Sequence, residues 1–71
     1  MDARYHPPDI PGWTFCTNSC DPTAEQAERS YRRTVAEILA KYGLKARRYD
    51  VRIEVFQPDP EIKWAVYRWT P

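Results

Sequence analysis

Four side chains near the N-terminal end are of types that bind metals or do covalent chemistry: His6, Cys16, Cys20 and Asp21. Cys16 and Cys20 stand in a Cys-x3-Cys spacing that zinc tolerates, but a structural zinc takes four nitrogen or sulfur ligands. The chain has two cysteines and one histidine, so a carboxylate such as Asp21 would have to complete the shell. The expectation is two ordinary thiols and no metal. A thiolate nucleophile at Cys20 would gain from a following helix N-terminus and lose from the adjacent Asp21. The single histidine lies in a proline-rich segment, poorly placed to act as a base. The two glycines, Gly12 and Gly43, build no phosphate-cradling loop. The acidic residues are spread singly, so local spacing positions no carboxylate pair. The chain is therefore read as a non-enzyme without a cofactor.

Charge gives a second set of candidates. Of 71 residues, 11 are Lys or Arg and 10 are Asp or Glu, a net of +1 that supplies no global attraction to nucleic acid or to a membrane surface. The distribution is uneven: residues 1–28 carry −4, residues 29–52 carry +6 and the remainder −1. Within the basic block, Glu25 to Arg29, Glu28 to Arg32 and Glu37 to Lys41 are spaced as i to i+4 pairs in the favoured order, which predicts self-neutralisation. Arg33, Lys45, Arg47, Arg48 and Arg52 have no such partner. Arginines interleaved with aromatics on an exposed sheet hold single strands by stacking and phosphate contacts, so these cations are the alternative, nucleic-acid-binding site.

The elements that must position these groups are legible. Asp21-Pro22 offers an N-cap with proline at the first helical position, and Thr23 with Gln26 offers a capping box two residues on. Ala24, Ala27, Tyr31, Val35, Ile38, Leu39 and Tyr42 recur at steps that form one apolar stripe, and Gly43 with Leu44 predicts a Schellman ending. The helix spans Asp21 to Gly43. Tyr49, Val51, Ile53 and Val55 alternate with charged residues, Pro58-Asp59-Pro60 supplies a turn, and Ile62 to Thr70 reads as the returning strand. Placing Gln57 opposite Ile62 sets Val55 against Trp64 and Ile53 against Val66 on the helix side. The same register sets Arg52 against Tyr67 on the outer side. A slip by one residue would instead bury Tyr67 and Trp69 toward the helix. Gly12 to Asn18, with Trp13 and Phe15 alternating with Thr14 and Cys16, is a short first strand.

The fold class is thus α+β: a single β-α-β-β domain over residues 12–71, one helix on a three-stranded sheet of order 1-3-2. Residues 1–11 precede it as an extended, Pro-rich N-terminal arm. The first dozen residues hold Pro7, Pro8 and Pro11 and no apolar run, so no signal-peptide core is expected. A cytoplasmic location follows as the expectation, with Cys16 and Cys20 as thiols and a disulfide possible but not required. The element order resembles half of a ferredoxin-like fold and, in topology alone, the dodecins, whose glycine usage and helix register differ. In size and lack of chemistry the chain is similar to small inhibitors encoded by phages and mobile elements. That resemblance implies action by occupying a surface on another protein.

One helix covers one sheet face, yet the other face keeps Tyr67, Trp69 and Phe56. Something must cover them. The arm is one candidate, through Tyr5, Ile10 and Trp13; a protein partner or a second copy is the other. The function expected is protein interaction through Arg48, Arg52, Tyr67 and Trp69, with homo-oligomerisation or another protein as partner and no membrane.

Overall fold

The computed structural model describes residues 6–45 and 47–69 and has the order β1(Trp13–Ser19), α1(Ala24–Lys41), β2(Val51–Val55), β3(Trp64–Trp69). The sheet order is β1-β3-β2, with both outer strands antiparallel to β3 and α1 packed on one face. The expected register holds: Arg52 faces Tyr67, Ile53 faces Val66 and Val55 faces Trp64. It is fixed by the turn, where Ile62 N–H donates to the Asp59 carbonyl at 3.3 Å and Glu61 N–H to Asp59 Oδ1 at 2.9 Å. The expected β3 end at Thr70 and the proposed cover by Tyr5 lie outside the described residues.

Helix α1 starts at the second of its two candidate caps. Thr23 has extended backbone angles and its Oγ1 accepts the Gln26 N–H at 3.2 Å. Asp21 is committed elsewhere: its Oδ2 accepts from Ser19 Oγ at 2.8 Å, and its carbonyl accepts the Trp64 indole N–H at 2.8 Å. The C-terminus is a Schellman motif, with Gly43 N–H on Ala40 O at 3.0 Å, Leu44 N–H on Leu39 O at 2.9 Å and Gly43 at φ +71°.

The apolar stripe is less buried than its periodicity predicts. Ala27 is buried and Tyr31, Val35 and Leu39 are half-buried, but Ile38 is 53% and Tyr42 70% exposed. Lengths explain this. Eighteen helical residues extend about 27 Å, whereas strands of five to seven residues cover about 17–23 Å. The last turns of α1 overhang the sheet.

The opposite face carries the arm. The chain enters β1 through the turn Ile10-Pro11-Gly12-Trp13, closed by Trp13 N–H on Ile10 O at 3.0 Å. Proline at the second position and Gly12 at φ +83° at the third suit a type II turn. Gly12 is required twice over, because a Cβ there would lie 2.5 Å from Trp69 Cζ3. Gly43 has open space around it. Gly43→Ala should therefore cost only left-handed backbone strain, about 1 kcal/mol. Gly12→Ala should cost about 2–3 kcal/mol, because the Trp69 ring must also shift. Urea unfolding of the two variants side by side checks the difference.

Candidate functional site

Alternation along β3 sends Trp64, Val66 and Arg68 toward α1 and Ala65, Tyr67 and Trp69 outward. On the outer face Tyr67 meets Phe15 edge to face with ring centroids 6.0 Å apart, and Trp69 meets Trp13 at 5.2 Å. These are favourable aromatic geometries. The arm lies over the Tyr67 end. Pro7 is fully buried, and the Tyr67 hydroxyl donates to the Pro8 carbonyl at 2.7 Å. His6 sits beside Phe15, with centroids 5.9 Å apart, and its Nδ1 donates to the Pro7 carbonyl at 2.8 Å. A hollow of about 230 Å³ separates Pro7, Pro8 and Ile10 from Arg52, Phe56 and Tyr67.

The expected docking residues are therefore distributed as follows. Tyr67 does not stand on an open surface: at 2% exposure it is the largest buried side chain, and the arm takes the area a partner was expected to use. Trp69 remains 42% exposed at the end of the face. Arg52 joins it there, its guanidinium 5.8 Å from the Trp13 ring centroid while its Nε pairs with Glu54. Arg48 lies before β2 begins and is exposed, so it is not part of the sheet face. The structure brings together Arg52, Trp69 and Trp13, the last expected as cover for this face and not as a docking residue.

Of the nucleic-acid candidates, Arg33, Lys45, Arg47 and Arg48 are all exposed. They line no aromatic platform, because Arg33 is on α1 and the other three follow it. Of the three helical pairs expected, Glu28–Arg32 forms at 3.0 Å. The other two do not close, since solvated pairs gain little for the side-chain entropy they cost.

The chemistry-bearing residues separate as well. Cys16 forms a β-bulge in β1, where the register shifts between Phe15 and Thr17. Its Sγ accepts a hydrogen bond from the Tyr31 hydroxyl of α1 at 3.4 Å, which puts it on the helix side, while His6 is on the outer side. The sheet lies between them. Both cysteines are free and exposed. A disulfide between them is excluded, because four residues of near-extended chain place their Cα atoms roughly 12 Å apart, beyond the 7 Å limit. Among the described residues no three His, Cys, Asp or Glu side chains converge on a metal-sized site.

On the helix side Tyr49 is held between two guanidiniums, Arg32 at 5.0 Å and Arg68 at 4.7 Å from its ring centroid, with Tyr31 edge-on at 6.3 Å. Arg32 also donates to the Tyr49 carbonyl at 3.3 Å. This cluster ties the segment after α1 back to the helix. Beside it, α1 leaves the helix side of β1 uncovered, and a groove of about 560 Å³ lies between Val35, Ile38, Val66 and Cys16. The sequence held a signal for this groove in the element count, since one helix about 10 Å across cannot cover three strands spaced about 4.8 Å apart. The chain matches no known protein family, no curated protein and no solved structure. Among the described residues no helix is long and apolar enough to cross a membrane.

Burial, reinforced by the bond to Cys16, pushes the Tyr31 phenol up to about 12. A phenol that ionises later in the folded state than in the unfolded state stabilises the fold fully below the unfolded value near 10. That contribution shrinks as pH rises from there toward 12. Absorbance titration at 295 nm should show a late phenol step that disappears in Tyr31→Phe, and that variant should lose less stability between pH 10 and 12.

Proposed function

We propose that the protein is a non-enzymatic interaction module that docks on another protein through the outer face of its sheet. The observation supporting this is the composition and state of that face. Trp13, Phe15, Tyr67 and Trp69 line it, Arg52 stands at its border, and it already holds a peptide segment, the chain's own arm. Aromatics with arginine are the residues that dominate binding at protein interfaces. The open end, formed by Trp13, Trp69 and Arg52, is where a partner first makes contact. A cytoplasmic setting, where Cys16 and Cys20 stay reduced, suits two exposed thiols that cannot pair with each other.

The nucleic-acid alternative keeps its cations but loses Tyr67, which lies under the arm, leaving Trp13 and Trp69 for stacking. Salt separates the two. A single-stranded nucleic acid held by about four or five phosphate contacts would show a log–log salt slope of roughly −3 to −4. A complex built on buried aromatics should change little between low and moderate salt. The tagged protein is expected to retain a protein partner through such a wash, with an absorbance ratio showing no nucleic acid. Trp69→Ala should release that partner while leaving helical circular dichroism intact. Retention by Trp69→Ala, or elution with nucleic acid as salt rises, would count against the proposal.

A further inference from the structure

The arm shows what chemistry the outer face accepts. Resting on the docking reading above, we infer that the face is a recognition site for an extended segment bearing adjacent prolines, and that the partner supplies such a segment in place of the arm. Two observations and one general property of proline carry this. Among the described residues Pro7 is the only arm residue fully buried, and it lines the same hollow as Ala65 and Tyr67, so the face contains a seat for one pyrrolidine ring. The following carbonyl, that of Pro8, is read by a tyrosine hydroxyl at 2.7 Å. Prolines fix φ near −65° and hold their neighbours extended, so such a segment arrives with little conformational entropy left to lose. Aromatic grooves with a hydroxyl or indole donor aimed at a peptide carbonyl are the general solution for binding such segments.

The arm is then a tethered competitor. Its attachment runs through one short turn at Pro11-Gly12, and among the described residues the contacts holding it are the Pro7 seat, the Tyr67 bond, His6 against Phe15 and the Ile10 bridge. A short tether gives it an effective concentration of about the millimolar order. A partner segment must exceed that or contact more of the face. The roughly 230 Å³ hollow between the arm and Arg52, Phe56 and Tyr67 shows that the arm leaves part of the face unfilled. A better-fitting proline segment can use it.

The test uses the full chain and a synthetic peptide of residues 6–11, with a control peptide in which both adjacent prolines are alanine. In the wild type, the peptide should bind weakly because the arm competes. In a chain with Pro7→Ala and Pro8→Ala, affinity for the proline peptide should rise at least tenfold, read by tryptophan fluorescence. Adding Tyr67→Phe should lower it again about fivefold, the equivalent of one hydrogen bond. The control peptide should not saturate. If the double variant fails to fold, wild-type chain titrated with millimolar peptide is read by NMR, where shifts must concentrate on Phe15, Tyr67 and the arm. Absence of saturable binding, equal binding of the control peptide, or indifference to Tyr67→Phe would overturn the inference. If the peptide fails while Trp69→Ala still releases a partner, this inference falls and the docking reading stands. If both fail, so do both.

Discussion

Strand β3 is bonded on both edges and must be covered on both faces, and everything else in the molecule answers to that constraint. Its consecutive residues Ala65, Val66 and Tyr67 are the most buried run in the described chain. Alternation forces Val66 and Tyr67 to opposite sides, so no single layer can shelter both. The helix shelters Val66. With one helix available, the chain shelters Tyr67 with the segment before β1. The tyrosine hydroxyl would lose a hydrogen bond to water on burial, and the Pro8 carbonyl supplies the replacement.

The result is an unequal three-layer arrangement. On one side, α1 is anchored by its Thr23 cap, its Schellman ending and the Arg32–Tyr49–Arg68 stack. On the other, the described part of the arm contributes the buried Pro7 ring, the Tyr67–Pro8 hydrogen bond, the His6–Phe15 contact and a two-residue turn. The apolar core is correspondingly thin: Ala27, Ala65, Val66 and Tyr67 are its buried members among the described residues. A domain this small has little stability to spare. The Gly12–Trp69 contact therefore matters beyond its size, since it sets the arm back over the sheet where the chain enters β1.

Much of this was written locally. The hairpin register follows from the period-2 alternation of Tyr49 to Val55 together with the Pro58–Pro60 turn, because a slip would exchange Trp64 and Val66 for Tyr67 and Trp69. The helix ending follows from Gly43 and Leu44 alone. What was not legible depended on lengths and competition between layers. Ile38 and Tyr42 obey the helical period yet overhang, because periodicity states a direction and not the extent of the surface below. The N-cap fell to Thr23 because Asp21 was claimed by Ser19 and Trp64, a partner 43 residues away. The bulge at Cys16 left no trace in the pattern, since both it and Thr17 are small and polar-tolerant. The candidate site was half legible: its aromatics were identified, but the arm over Tyr67 was one of two covers that the sequence could not rank. A proline-rich stretch reads the same whether it is solvated or seated.

That ambiguity is itself physical. A proline segment has little regular structure to gain by docking and little chain entropy to lose, so its free energy changes only modestly between solvent and sheet. Layers of this kind open locally at free energies well below that of global unfolding. The helix cannot leave without exposing Val66 and breaking the crossover between β1 and β2, whereas the arm can leave with the strand pairing intact. When the arm leaves, the surface exposed is Tyr67 and Phe15 with a hydroxyl donor at its centre. Such a surface is costly in water and specific in what relieves it. A face built this way favours replacement of one extended segment by another over prolonged exposure, and the recognition proposed for it falls on the side of the sheet that the fold holds least firmly.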